Sequence, residues 1–116
     1  MKREIEFHVE EDTVAAGARF IDAWRRASRG ERVDERHLSF ESWEGLRKVL
    51  TTKRLELLRH LRRHPAGSVA VLARALGRDY KRVHEDVEAL AASGLLARDQ
   101  LGLRTEYDEI RTSIAV

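Results

Sequence analysis

Five of the six side chains from Asp79 to His84 carry hydrogen-bonding groups: Asp79, Tyr80, Lys81, Arg82 and His84, with Val83 among them. Lys81 and Arg82 can donate to guanine O6 and N7 in a major groove. Tyr80 can stack against a sugar or a thymine methyl while its hydroxyl donates to phosphate. His84, one helical turn later, can donate to a base edge or a phosphate. Further donors flank this run: Ser68, Arg74 and Arg78 before it, Arg98 and Arg104 after it. Ser68, Arg74 and Arg78 would face backbone phosphate and Arg98 and Arg104 backbone or minor groove, and such contacts position a protein without choosing a sequence.

Other chemistries find less support. His60 and His64 stand at i, i+4, a spacing that can hold a metal, but no acidic or cysteine ligand stands at a suitable distance and Arg62 and Arg63 crowd the pair. A solvated basic face is the expectation there, with no bound metal or cofactor. No carboxylate spacing marks a general acid–base pair, and neither a Gly-rich phosphate loop nor a serine elbow is present. The chain is therefore not expected to be an enzyme. The absence of cysteine excludes disulfides and thiolate chemistry. No apolar run approaches the roughly 20 residues that span a bilayer, and no signal-like segment follows Met1, so a cytoplasmic location without a membrane partner is expected.

The net charge of +2 is unevenly distributed. Residues 47–104 carry 13 Lys/Arg against 6 Asp/Glu, whereas residues 1–46 carry 8 against 11 and residues 105–116 carry 1 against 3. A basic middle between acidic ends suits a chain whose middle alone meets a polyanion.

The elements that would position these residues follow from periodicity. Ile5, Phe7 and Val9 alternate with Glu4, Glu6, His8 and Glu10, which predicts a half-buried strand. Asp12 or Thr13 can cap a helix with Val14, Ala18 and Ile21 on one apolar line, widened by Phe20 and Trp24 and closed near Gly30. A short strand is expected at His37–Phe40, then a helix carrying Trp43, Leu46, Val49 and Leu50, weakened by Gly45. A fresh cap at Thr51 or Thr52 predicts a break before the line Leu55, Leu58, Leu61, which runs to Pro65. Ser68 caps a helix with Val69, Leu72, Ala73 and Leu76 inward, ended by Gly77. The next helix, 79–93, buries Val83, Val87 and Leu90. Asp86 and Glu88 on that helix are expected to face outward or pair with arginines. A hairpin follows, Leu95–Arg98 and Leu103–Thr105 with its tip at Asp99–Gly102, and a terminal alternating segment at 110–116 is expected to pair with the first strand.

Three helices and a hairpin, with cations opening the third helix, make the ground plan of a winged helix-turn-helix. The expected class is α+β and mostly helical, with a strand-helix-strand extension at 1–46 and the DNA-binding domain with its C-terminal strand at 47–116. The run from Leu50 to Leu58, continued by LARALGRDYKRVHEDVEALAASGLLAR (Leu72–Arg98), resembles the small MarR-like winged-helix regulators of bacteria and archaea. The resemblance covers about Leu50 to Tyr107. It implies sequence-specific binding of double-stranded DNA and transcriptional control, with the recognition helix at 79–93 in the major groove. Where those regulators tend to be basic after the histidine, this chain has Glu85. Some members of that group look like antitoxins, so a cognate toxin gripped by residues 1–46 is the alternative expectation. One winged helix covers a half-site, which predicts a homodimer formed through Phe20, Trp24, Trp43 and the terminal strands.

Overall fold

In a computed structural model, which describes residues 3–9, 13–28 and 35–116, the alternating segment near the N-terminus forms β1 (Glu4–Val9). It is followed by α1 (Thr13–Ser28) and β2 (Glu35–Phe40). The cap at Asp12 and the closing Gly30 expected from the sequence lie outside the described residues, as do the side chains of Val14 and Phe20. Next come α2 (Trp43–Val49), α3 (Thr52–Arg63), α4 (Val69–Leu76) and α5 (Tyr80–Ala92), then β3 (Ala97–Asp99), β4 (Gly102–Arg104) and β5 (Glu109–Ile114). The class is α+β, with about half of the chain in helices. Among the described residues, no helix is long and apolar enough to cross a membrane.

Two compact units result: residues 1–46 with 108–116, and residues 47–107. The terminal strand, grouped by the sequence with 47–116, thus falls in the first unit. There β2, β1 and β5 form a three-stranded parallel sheet with β1 in the middle. Ile5, Phe7 and Val9 are buried, and the Phe7 ring meets that of Phe40 edge-on at 5.4 Å. His8, expected to face solvent, is buried as well, its ring lying against that of His37 on the neighbouring strand. On α1, Ala18, Ile21 and Trp24, expected to form a buried line, are exposed.

In the second unit each helix begins where a side chain can satisfy a free amide. Thr51 accepts from Arg54 N, Ser68 from Val71 N and Asp79 from Arg82 N, each at 3.2 Å. The chain leaves α4 through Gly77 in the left-handed conformation, φ 64°, and the next helix opens three residues later. Leu57, Leu61, Leu72, Val83, Val87, Leu90 and Leu95 form the fully buried centre. Leu57 joins Leu58 and Leu61 inside, while the expected Leu55 is only half-buried.

The hairpin starts later than its hydrophobic run suggests. Leu95 and Leu96 sit in the core rather than in β3, and Gln100–Leu101 makes a two-residue tip. The outer side of β4 pairs with Ala66 through Ala66 N to Leu103 O (3.0 Å) and Leu103 N to Ala66 O (2.7 Å). Thr105 closes the core by donating its hydroxyl to Leu95 O at 2.9 Å.

That pairing leaves no room at Gly102, whose φ is 120°. A methyl there would collide with Ala66 O and lie 2.9 Å from Gly67 Cα, both backbone atoms that cannot swing aside. Gly102→Ala is expected to lower stability by about 2–4 kcal/mol. Gly94→Ala, at φ 78° but with nothing within 4 Å, should cost only about 1–2 kcal/mol. Denaturant unfolding of both variants checks the order.

Candidate nucleic-acid interface

The orientation of α5 follows from its apolar spacing. Val83, Val87 and Leu90 recur at i, i+4 and i+7 and are fully buried. With that stripe turned inward, Tyr80, Lys81, Arg82, His84 and Glu85 emerge on other faces, and all five are exposed. The Tyr80 ring lies over that of His84, with centroids 6.0 Å apart and 28° between planes. Arg74, in the last turn of α4, and Ser68, at its start, are exposed too. The side chains of Arg74, Lys81 and Arg82 form no ion pair with any described residue. They therefore remain available to an external anion.

Arg78 belongs to a different structure. Its Nη2 donates to Asp86 Oδ2 at 2.7 Å, while Arg54 Nε donates to Asp86 Oδ1 at 3.0 Å. Arg54 Nη1 also donates to Lys48 O and Val49 O, both at 2.9 Å. One carboxylate on α5 thus binds the start of α3 and the turn before α5, and through Arg54 the carbonyls ending α2. All three charged side chains are largely buried, at 14–18% exposed. Arg78, counted from the sequence among phosphate-facing groups, holds the framework instead.

The hairpin cations are also engaged. Arg98 Nη1 lies 2.6 Å from Glu88 Oε1, and His84 Nε2 approaches the same oxygen at 3.6 Å. Arg104 binds Asp99, with Glu106 at 3.8 Å. Asp99 also accepts from Leu101 N at 2.8 Å, which pins the tip. The hydrogen bond from Arg98 holds the Glu88 carboxyl below its ordinary range. The Arg104 hydrogen bond, followed by that from Leu101 N, does the same for Asp99. The candidate set therefore divides into an outward group (Ser68, Arg74, Tyr80, Lys81, Arg82, His84) and an engaged group (Arg78, Arg98, Arg104). The expectation that Asp86 and Glu88 pair with arginines holds for both. Arg54, unremarkable in the sequence, is the framework residue that sequence reasoning missed. Its partner lies 32 residues away, so no local spacing announces it.

A helix, a short left-handed turn and a second helix with an outward cationic start define a surface suited to anions. The chain belongs to the HVO_A0114 family, whose model matches residues 49–112. No curated protein and no solved structure matches the chain.

Removing the shared carboxylate leaves two largely buried guanidinium groups uncompensated. Asp86→Ala is expected to destabilise by about 2–4 kcal/mol in denaturant unfolding. A change within about 0.5 kcal/mol, typical of surface positions, would refute the role. The lowered Asp99 pKa gives a second expectation. Because the folded value lies below the unfolded one, its stabilising effect is complete above about pH 3.9 and is lost as pH falls through the folded value. Carboxyl-carbon NMR should show Asp99 titrating below ordinary aspartate, and Arg104→Ala should move it upward.

Proposed function

We propose that residues 47–107 form a winged helix-turn-helix that binds duplex DNA through α5, and that the protein is a sequence-specific transcriptional regulator. The observation that carries this reading is the division of α5: Val83 is fully buried, while Tyr80, Lys81 and Arg82 beside it face outward. A three-residue turn containing a left-handed glycine joins α4 to α5, the connection such modules use. The first turns of the second helix are those that reach base edges when it enters the major groove. The positive end of α5 and the amides near Ser68 favour neighbouring phosphates. The hairpin stands where a wing would, but its arginines are bound to Glu88 and Asp99, so it contributes modestly.

A single module of this kind covers one half-site, so the protein is inferred to act as a homodimer. The exposed apolar side chains Ile21, Trp24, Trp43 and Ile114 are the surface from which such a contact would be drawn.

Fluorescence anisotropy of the full chain with labelled duplexes tests the reading. Affinity should fall linearly with log salt, with a slope near −0.9 per phosphate neutralised. The Lys81→Ala, Arg82→Ala double variant should lose about 1–3 kcal/mol of discrimination between duplexes for each base contact removed. Absence of duplex binding at low salt, or an unchanged preference in a folded double variant, would overturn it.

A further inference from the structure

The sheet of the first unit brings together three side chains that the DNA reading does not use. Glu6 and His8 are two apart on β1 and so project from the same face. The parallel register sets His37 of β2 directly opposite Glu6, which places it on that face as well. His8 Nε2 lies 2.9 Å from His37 Nδ1 and 3.3 Å from Glu6 Oε1. One ligand atom from each of the three lies within 4.8 Å of the others. His8 is buried, Glu6 is half-buried and His37 is exposed, so the cluster is anchored inside and open outside.

We propose that Glu6, His8 and His37 form a site for a borderline transition-metal dication of the Zn2+ class. Two imidazole nitrogens and one carboxylate oxygen suit such an ion, and the open side leaves a fourth position for water. Ligand atoms about 2.0–2.1 Å from a tetrahedral ion lie roughly 3.3–3.4 Å apart. The 3.3 Å edge already fits, and the 2.9 Å edge needs to open by only a few tenths of an ångström. Two imidazole nitrogens this close share either one ring's N–H, as a hydrogen bond, or a metal ion in its place. The cation opposite Glu6 on the other flank, Arg111, is engaged with Glu4 and Glu109 at 3.5 and 3.3 Å. A bound ion would tie the edge strand β2 to β1. The site stands on geometry alone and is independent of the DNA reading.

The test is calorimetric titration of the tag-free full chain with ZnCl2, with Co2+ absorption reporting coordination. His60 and His64, whose rings lie 5.2 Å apart, are the competing ligands and are removed in a control. The wild-type chain should bind one Zn2+, and His60→Ala, His64→Ala should leave that affinity unchanged. His37→Ala and Glu6→Gln should each weaken it by about 100-fold or more. Losing even a hydrogen-bond partner of a ligand costs roughly 10–100-fold, and losing the ligand itself costs more. His37 is exposed, so its variant should remain folded, as circular dichroism would show; Glu6→Gln provides a second folded probe. No binding by the wild-type chain, or equal binding by folded His37→Ala and Glu6→Gln variants, would overturn the proposal. Loss of binding in the His60/His64 variant would assign the ion elsewhere and overturn it too.

Discussion

Burial of Val83, Val87 and Leu90 sets the rotation of α5, and every other property of the outward surface depends on it. Each fully buried aliphatic side chain contributes about 1.5–3 kcal/mol relative to exposure. Turning the helix would forfeit several such terms at once. Neighbouring residues in a helix are about 100° apart, so anchoring Val83 inward leaves Lys81 and Arg82 no route into the core. Asp86 adds a directional constraint at the margin of the same stripe. Its two oxygens receive different guanidinium groups, from Arg54 and Arg78, and α5 is thereby held against rolling and sliding. The chemistry proposed for the first turns requires that rigidity, because base-edge contacts depend on hydrogen-bond geometry.

The first unit is built by a different rule. Parallel neighbours cannot be joined by a tight turn, so each connection must run back along the sheet. The chain passes from β1 to β2 through α1, and from β2 to β5 through the whole of residues 41–108. Residues 47–107 lie in sequence between two strands of that sheet. Register matters there in the same way that helical phase matters in α5. A slip of one residue would carry His37 to the opposite face and take it away from Glu6 and His8.

Features carried by short-range pattern were legible in the sequence. Period-two alternation marked β1, and capping residues Thr51 and Ser68 marked two helix starts to within a residue. The stripe on α5 announced which of its residues would face outward. Features made by distant partners were not legible. The Arg54–Asp86 bond and the pairing of Ala66 with Leu103 depend on how helices and hairpin pack, and nothing in the local spacing of either residue encodes it. The same holds for Arg78: its position before α5 suggests a phosphate contact, and its bond to Asp86 appears only once the helices are packed. The hydrophobic pair Leu95–Leu96 read as strand because burial on two sides looks alike in a strand and in a core-lining turn. His8 and His37 lie 29 residues apart, so their meeting appears only once the parallel register is known.

Hydrogen–deuterium exchange of the full chain, with and without a duplex in low salt, tests most directly whether the outward start of α5 is the working surface. Protection on adding duplex should concentrate in residues 68–71 and 79–85, while the buried half of α5 stays slow in both states. Protection confined to residues 1–46 and 108–116, or no change at the start of α5 under conditions where the duplex binds, would contradict it.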